Sequence, residues 1–281
     1  MDTTSLQHCL TEEERAAFDR DGYFIVRNAI SPEKVAQLNS ALDRVQAEYR
    51  AAKGIDPHEA INILDFIGKD DVFLELLDCP TTLPKVWGIL GWNIQLYHSH
   101  TIITPPRPEG AATKMGTLNW HQDSGRLNRE LETTPQPRIS LKVAFFLTDT
   151  TEPGRANLYV LPGSHTTNTP PVANGHDPEG TEIVRAGPGD AVFFDRRIWH
   201  RSSANTWTGP RKVLFYGYSY RWLRPRDDMT VAHYFERCDP IQRQLLGFSP
   251  SGGHGYSSPR DEDVPLRGWI REHLGEEAVM A

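Results

Sequence analysis

The sequence predicts a mainly β fold, a sandwich, jelly roll or barrel, with N-terminal α-helices packed on an outer face of the β core. Three observations support this. Short β-like runs recur at 117–122, 139–148, 158–161, 182–185, 191–194 and 212–220. Turn-forming segments such as Glu152-Pro153-Gly154 and Gly187-Pro188-Gly189-Asp190 separate them, as in antiparallel architectures rather than a parallel α/β sheet. Upstream, Val35, Leu38, Leu42, Val45 and Tyr49 advance by three, four, three and four, the stripe of an amphipathic helix that must lie on something apolar.

In chain order, Thr11 and Glu14 form a capping-box pattern ahead of Ala16, Ala17 and Phe18, predicting a short helix that Asp21-Gly22 ends. Tyr23-Phe24-Ile25-Val26 reads as a strand. Ser31-Pro32, a cap residue followed by proline, starts the long amphipathic helix. Shorter helical stretches are expected over 71–77 and 83–90, then a strand over 94–104 that Pro105-Pro106 terminates. Two long segments, 166–180 and 249–263, read as mobile surface loops, and a last helix is expected over 266–274. The predicted organisation is one domain over 1–281, with helical decoration at about 11–90, a β core at about 93–222 and a C-terminal loop and helix over 223–281.

Composition narrows the function. At 281 residues the chain can bury a substantial core, and its net charge of −7 without any basic run argues against a nucleic-acid partner. No apolar stretch is long enough to span a bilayer, and no signal-peptide layout opens the chain. Cys9, Cys79 and Cys238 are scattered and odd in number, which fits reduced thiols. A cytoplasmic enzyme acting on a small molecule is expected.

The chemistry concentrates in Asn119-Trp120-His121-Gln122-Asp123 and Ile198-Trp199-His200. On a strand, residues i and i+2 share a face, so His121 and Asp123 can present an imidazole and a carboxylate to one ion. His200 from a second strand would complete two histidines and one carboxylate, a set that leaves positions open for a cosubstrate and oxygen on iron(II). A His-x-Asp pair alone is a weak pattern, because most such surface pairs coordinate nothing. The zinc-hydrolase motif His-Glu-x-x-His is absent. Arg211 follows His200 by eleven residues and opens a run whose alternate residues Val213, Phe215 and Gly217 are expected to face the core. Its guanidinium fork is a natural bidentate partner for a carboxylate.

These residues resemble the phytanoyl-CoA dioxygenase family of iron(II)/2-oxoglutarate-dependent oxygenases. The resemblance runs from the Asp21-Gly22-Tyr23 strand to the strand after Arg211. It also takes in 141–149 (Leu-Lys-Val-Ala-Phe-Phe-Leu-Thr-Asp), Leu161-Pro162-Gly163-Ser164-His165 and Gly187-x-Gly189-Asp190. It implies a double-stranded β-helix, or jelly roll, with Fe(2+) held by His121, Asp123 and His200 in its mouth. It further implies 2-oxoglutarate chelating the iron, its far carboxylate on Arg211, with O2 as the second cosubstrate. By the same analogy Lys142 and His98 touch the cosubstrate. One departure is Gly154-Arg155-Ala156-Asn157, where relatives often carry Asn-Gly, and it bears on a turn rather than on the chemistry.

The expected reaction is oxidative decarboxylation of 2-oxoglutarate to succinate and CO2, coupled to hydroxylation of a small or medium-sized metabolite. Desaturation, cyclisation and epoxidation are variants of it. Halogenating relatives carry a small residue where Asp123 stands, so hydroxylation is favoured over halogenation. Natural-product tailoring is preferred to lipid catabolism because a peroxisomal address is absent. Arg126, Arg129, Arg221 and Arg224 are candidate contacts for an anionic substrate group, Arg126 and Arg221 foremost, each weighed against ordinary ion pairing with nearby acids. The rivals are a cupin-like isomerase, which would not need a carboxylate anchor behind the last ligand, and a non-catalytic binding module, against which the intact set of His121, Asp123 and His200 speaks. His165 is expected to be structural, and Trp120 and Trp199 to face away from the ligand side of their strands.

Overall fold

A computed structural model describes residues 1–111, 118–172 and 176–280. Helix α1 (Glu12–Asp21) carries the capping box of Thr11 and Glu14, and Gly22 closes it at φ 83°. A Cβ on Gly22 would sit 2.6 Å from His165 Nδ1, so both backbone angle and space require glycine there. Strand β1 (Tyr23–Val26) follows, then α2 (Pro32–Lys53), capped by the Ser31 side chain and ended by Gly54. The predicted stripe is its buried face, with Val35, Leu38, Leu42 and Val45 all in the core.

Strand β2 (Ile61–Leu64) was not anticipated, since four residues with alternating burial give too short a pattern to stand out. Helices α3 (Asp71–Leu74) and α4 (Leu83–Leu90) lead to the long β3 (Ile94–Thr104). After β4 (Leu118–His121) comes α5 (Gly125–Glu130), also unforeseen; Thr117, expected to open β4, lies outside the described residues. The remaining strands are β5 (Ser140–Phe146), β6 (Leu158–Val160), β7 (Glu182–Ile183), β8 (Ala191–Asp195), β9 (His200–Ser202) and β10 (Arg211–Tyr220). Helices α6 (Pro240–Leu245), α7 (His254–Ser257) and α8 (Pro265–Leu274) complete the chain.

The strands form two antiparallel sheets, ordered β1-β8-β5-β10-β3-β2 and β4-β9-β6-β7. This is the jelly roll. Strand parity divides the core in two. Leu141, Val143, Phe145, Phe193, Leu214 and Tyr216 point outward and pack with Leu38, Leu42 and Phe66 under the helices. Their neighbours Ala144, Phe146, Val192, Phe194, Val213 and Phe215 point inward, towards Leu158 and Val160 of the small sheet. Both faces of β5, β8 and β10 are therefore buried, which is why those strands read as nearly continuous apolar runs.

The segment 249–263 is a correction to the expected mobile loop. Asp263 is buried and accepts from Ser249 Oγ at 2.6 Å and from the amides of Ser251 and Arg260 at 2.9 and 3.0 Å. Within 166–180, residues 173–175 lie outside the described residues. The turn at Gly154-Arg155-Ala156-Asn157 holds Ala156 at φ 52°, a backbone conformation that glycine adopts without strain. The buried Asn157 amide secures it by donating to the carbonyls of Thr150 and Glu152 at 2.8 and 3.1 Å.

Candidate metal centre

Inward parity places Lys142 on β5 and Arg211 on β10 in one cavity of about 170 Å³, with His98 and His100 of β3. The small sheet faces them with His121 at the end of β4 and His200 at the start of β9, two residues directly paired across the ladder. Strand β4 stops at His121, so Asp123 occupies the turn beyond it, where its amide donates to the Arg196 carbonyl at 2.9 Å. One donor atom from each of His121, Asp123 and His200 lies within 4.8 Å of the others.

The protonation states suit a divalent cation. His121 Nδ1 lies 2.8 Å from the Asn119 carbonyl and His200 Nδ1 lies 2.9 Å from the Ile198 carbonyl. Each carbonyl can only accept, so the proton belongs on Nδ1 and the Nε2 lone pair is left for a metal. Burial pulls His200 down to about 4, which keeps it neutral. Burial alone would raise the Asp123 carboxyl, but the Lys142 ammonium at 2.8 Å holds it well below the ordinary carboxylate range. The result is an ionised carboxylate beside two imidazoles whose rings are fixed by backbone carbonyls.

Arg211 is the other unusual group. It is 3% exposed, its Nε has no hydrogen-bond partner, and no carboxylate pairs with it among the described residues. Burial alone draws its pKa from 12.5 to about 10. Its guanidinium carbon lies 5.7 Å from the Phe146 ring centre, and the cavity is the open side. A desolvated cation without a counter-ion is costly unless an anion fills the space.

His98 sits on Asp227, with Nδ1 2.5 Å from a carboxylate oxygen whose partner oxygen accepts from the Ser99 amide. His100 stacks between His98 and Phe215, at 4.5 Å from each, and leaves its buried Nε2 unpartnered in the cavity wall. Sequence reasoning missed the parts that Asp227 and His100 play. Asp227 is 129 positions from its partner, and nothing in the order of residues sets His100 apart from an ordinary strand neighbour of His98.

The candidate substrate arginines separate. Arg126 lies on the exposed side of α5, with Nε 2.6 Å from Glu130 one turn on, and it does not line the metal cavity. Arg221 is corrected: it is 2% exposed and donates to the Gly255 and Phe248 carbonyls, fastening the C-terminal segment instead of meeting substrate. Its sequence position gave no sign of this, because the carbonyls it serves are 27 and 34 residues away. His165 is structural as expected, with Nε2 3.1 Å from the Asp19 carbonyl. A larger groove of about 760 Å³ lies between α4, the N-terminus and α8, and contains no such ligand set among the described residues.

A jelly roll with two imidazoles, one carboxylate and an unpaired buried guanidinium in one cavity defines a class: the non-haem iron(II), 2-oxoglutarate-dependent oxygenases. The family model for phytanoyl-CoA dioxygenase (PhyH) matches residues 18–213, and the chain belongs to that family, a dioxygenase that uses iron, 2-oxoglutarate and O2. An ectoine dioxygenase of Nocardia farcinica is 27% identical over 236 residues, covering 72% of this chain and 76% of that protein. The crystal structure of EctD from S. alaskensis with 2-oxoglutarate and 5-hydroxyectoine superposes with a TM-score of 0.61 at 23% identity, covering 77% of this chain and 78% of that one. HygX from Streptomyces hygroscopicus with nickel and 2-oxoglutarate bound gives 0.63 at 17% identity, covering 77% and 90%. No helix among the described residues is long and apolar enough to cross a membrane.

Proposed function

We propose that the whole chain acts as one oxygenase domain that hydroxylates a small or medium-sized metabolite, in natural-product tailoring or related secondary metabolism, releasing succinate and CO2. The observation that supports this best is Arg211, a buried cation with no counter-ion among the described residues, in the same cavity as the His-Asp-His set. His121, Asp123 and His200 hold the iron, and Arg211 takes the far carboxylate of 2-oxoglutarate. When bound, iron and 2-oxoglutarate supply the oxidative decarboxylation that drives oxidation of the substrate.

The protein's own groups do the placing. Lys142 keeps Asp123 ionised and aimed before metal enters, and its ammonium sits over Phe194 and Phe215, which wall the cavity from water. Asp227 fixes the ring of His98 at the cavity wall, which Lys142 also lines, and in this reading both side chains touch the cosubstrate. Because Asp123 fills the ligand position that halogenation needs open, hydroxylation is the favoured outcome. The metabolite class is supported by ectoine dioxygenase among the relatives and by a HygX structure that holds hygromycin B.

The test is anaerobic addition of iron(II) and 2-oxoglutarate to the metal-free protein. A weak metal-to-ligand charge-transfer band in the visible is expected, lost in His200→Ala. An absent band, or one that this substitution leaves intact, would refute the assignment. Succinate release across a metabolite panel then identifies the substrate.

A further inference from the structure

Beside the iron cavity lies another pocket of about 370 Å³, lined by Tyr97, Arg126, Leu127, Leu223, Arg224 and Arg226 among others, with no acidic side chain in its wall. Arg226 lines both spaces, so the two adjoin at its side chain. The backbone there is pinned: the Arg226 amide donates to the Tyr97 carbonyl at 2.7 Å, and the next residue, Asp227, is bonded to His98. Arg126 is tied to Glu130, whereas neither Arg224 nor Arg226 has a carboxylate partner among the described residues. In a chain of net charge −7, three arginines and no acid around one pocket is a local reversal of sign.

We propose that this pocket is the outer half of the substrate site, and that the substrate carries an anionic group, a carboxylate or a phosphate, held there by Arg224 and Arg226. The apolar part of the molecule lies against Leu127, Leu223 and the Tyr97 ring, and the carbon to be oxidised reaches past Arg226 into the iron cavity. Two free guanidinium forks offer bidentate contacts to either anion, and the pocket's field draws anions in. The same charge selects against cationic metabolites. This rests on the oxygenase assignment above for what happens at the inner end, while the anion site itself stands on the arginines alone.

The test uses the full-length protein loaded with redox-inert nickel(II) and 2-oxoglutarate, so that Arg211 is occupied. Phenyl phosphate, benzoate and neutral benzyl alcohol are titrated calorimetrically, with inorganic phosphate as a fourth probe. At least one anionic probe should bind roughly tenfold or more tightly than benzyl alcohol, with an affinity that falls as salt rises. The Arg224→Gln/Arg226→Gln double variant should lose that preference, and the Arg224→Lys/Arg226→Lys variant should keep part of it. The phosphate and carboxylate arms show which anion the site prefers. Equal binding of charged and neutral probes by the wild type, or an anion preference that the glutamine pair leaves unchanged, would overturn the proposal. The anaerobic iron(II)/2-oxoglutarate band, measured alongside, keeps the two conclusions apart. A missing band in the wild type counts against the oxygenase assignment, and a normal band without anion preference counts against the outer site alone. Should the double variant lose the band through misfolding, the wild-type comparison of probes still decides.

Discussion

Replacing Arg211 with methionine should make the protein more stable and at the same time unable to hold its cosubstrate. Methionine keeps the apolar stem against Phe146 and removes the charge. Burial takes the guanidinium from 12.5 to about 10 with no other cause acting on it. At about 1.4 kcal/mol for each tenfold change in proton affinity, the buried cation costs roughly 3 kcal/mol relative to its solvated state. The site is 3% exposed, so solvent screening discounts little of this. Allowing for contacts that methionine fails to make, metal-free Arg211→Met should gain about 1–3 kcal/mol in urea unfolding. Loss of a bidentate, charge-assisted contact should weaken 2-oxoglutarate by about 3–5 kcal/mol, on the order of a hundredfold or more, in anaerobic titration with iron(II). A variant less stable than wild type would show that the guanidinium already has a partner in the protein. Unchanged 2-oxoglutarate affinity would remove Arg211 from the site.

Three further outcomes are expected. Lys142→Met leaves Asp123 buried without its ammonium partner, so the metal-free variant should lose about 3–5 kcal/mol while gaining more from nickel(II) than wild type does; equal metal stabilisation of both in thermal melts would count against it. His200, held at about 4 by burial against an ordinary 6.5, stays neutral in the fold while the unfolded chain takes up a proton first as pH falls. Metal-free stability should therefore drop by about 2 kcal/mol from this group between pH 7 and 5, stop changing on its account below about 4, and be partly restored by metal; a flat urea-stability profile over pH 7 to 5 would contradict this. Burial lowers His98, His100 and His165 as well, so they act in the same direction. Gly22→Ala would force a Cβ to 2.6 Å from His165 at φ 83°, and should cost about 2–3 kcal/mol in the same unfolding assay, with a loss under 0.5 kcal/mol speaking against the tight packing described.

Much of the β framework was legible because its signals are local. Strand β3 falls on 94–104 as expected, and β10 starts one residue before the predicted run. The capping box at Thr11 and the helix start at Ser31-Pro32 need no distant partner to form. Strand β2 escaped notice because four residues carry little periodicity, and α5 because its start at Ser124 has no side-chain cap and it buries no residue. Arg221 was misjudged for the same reason in reverse: an arginine at a strand end gives the same local pattern whether it faces solvent or two distant carbonyls.

By itself, the sequence determined which side chains share a face. Period-two alternation on β5 and β10 put Lys142 and Arg211 on the same side of their strands as Ala144 and Val213, before any contact was known. Only the tertiary structure decided what those faces meet. It brought Lys142 to Asp123, Asp227 to His98, and Arg226 to the boundary of two pockets, and it left Arg211 without a counter-ion among the described residues. The physical reason is that alternation is set within a strand by backbone geometry, whereas pairing across a cavity depends on how two sheets close over each other, with partners up to 129 residues apart.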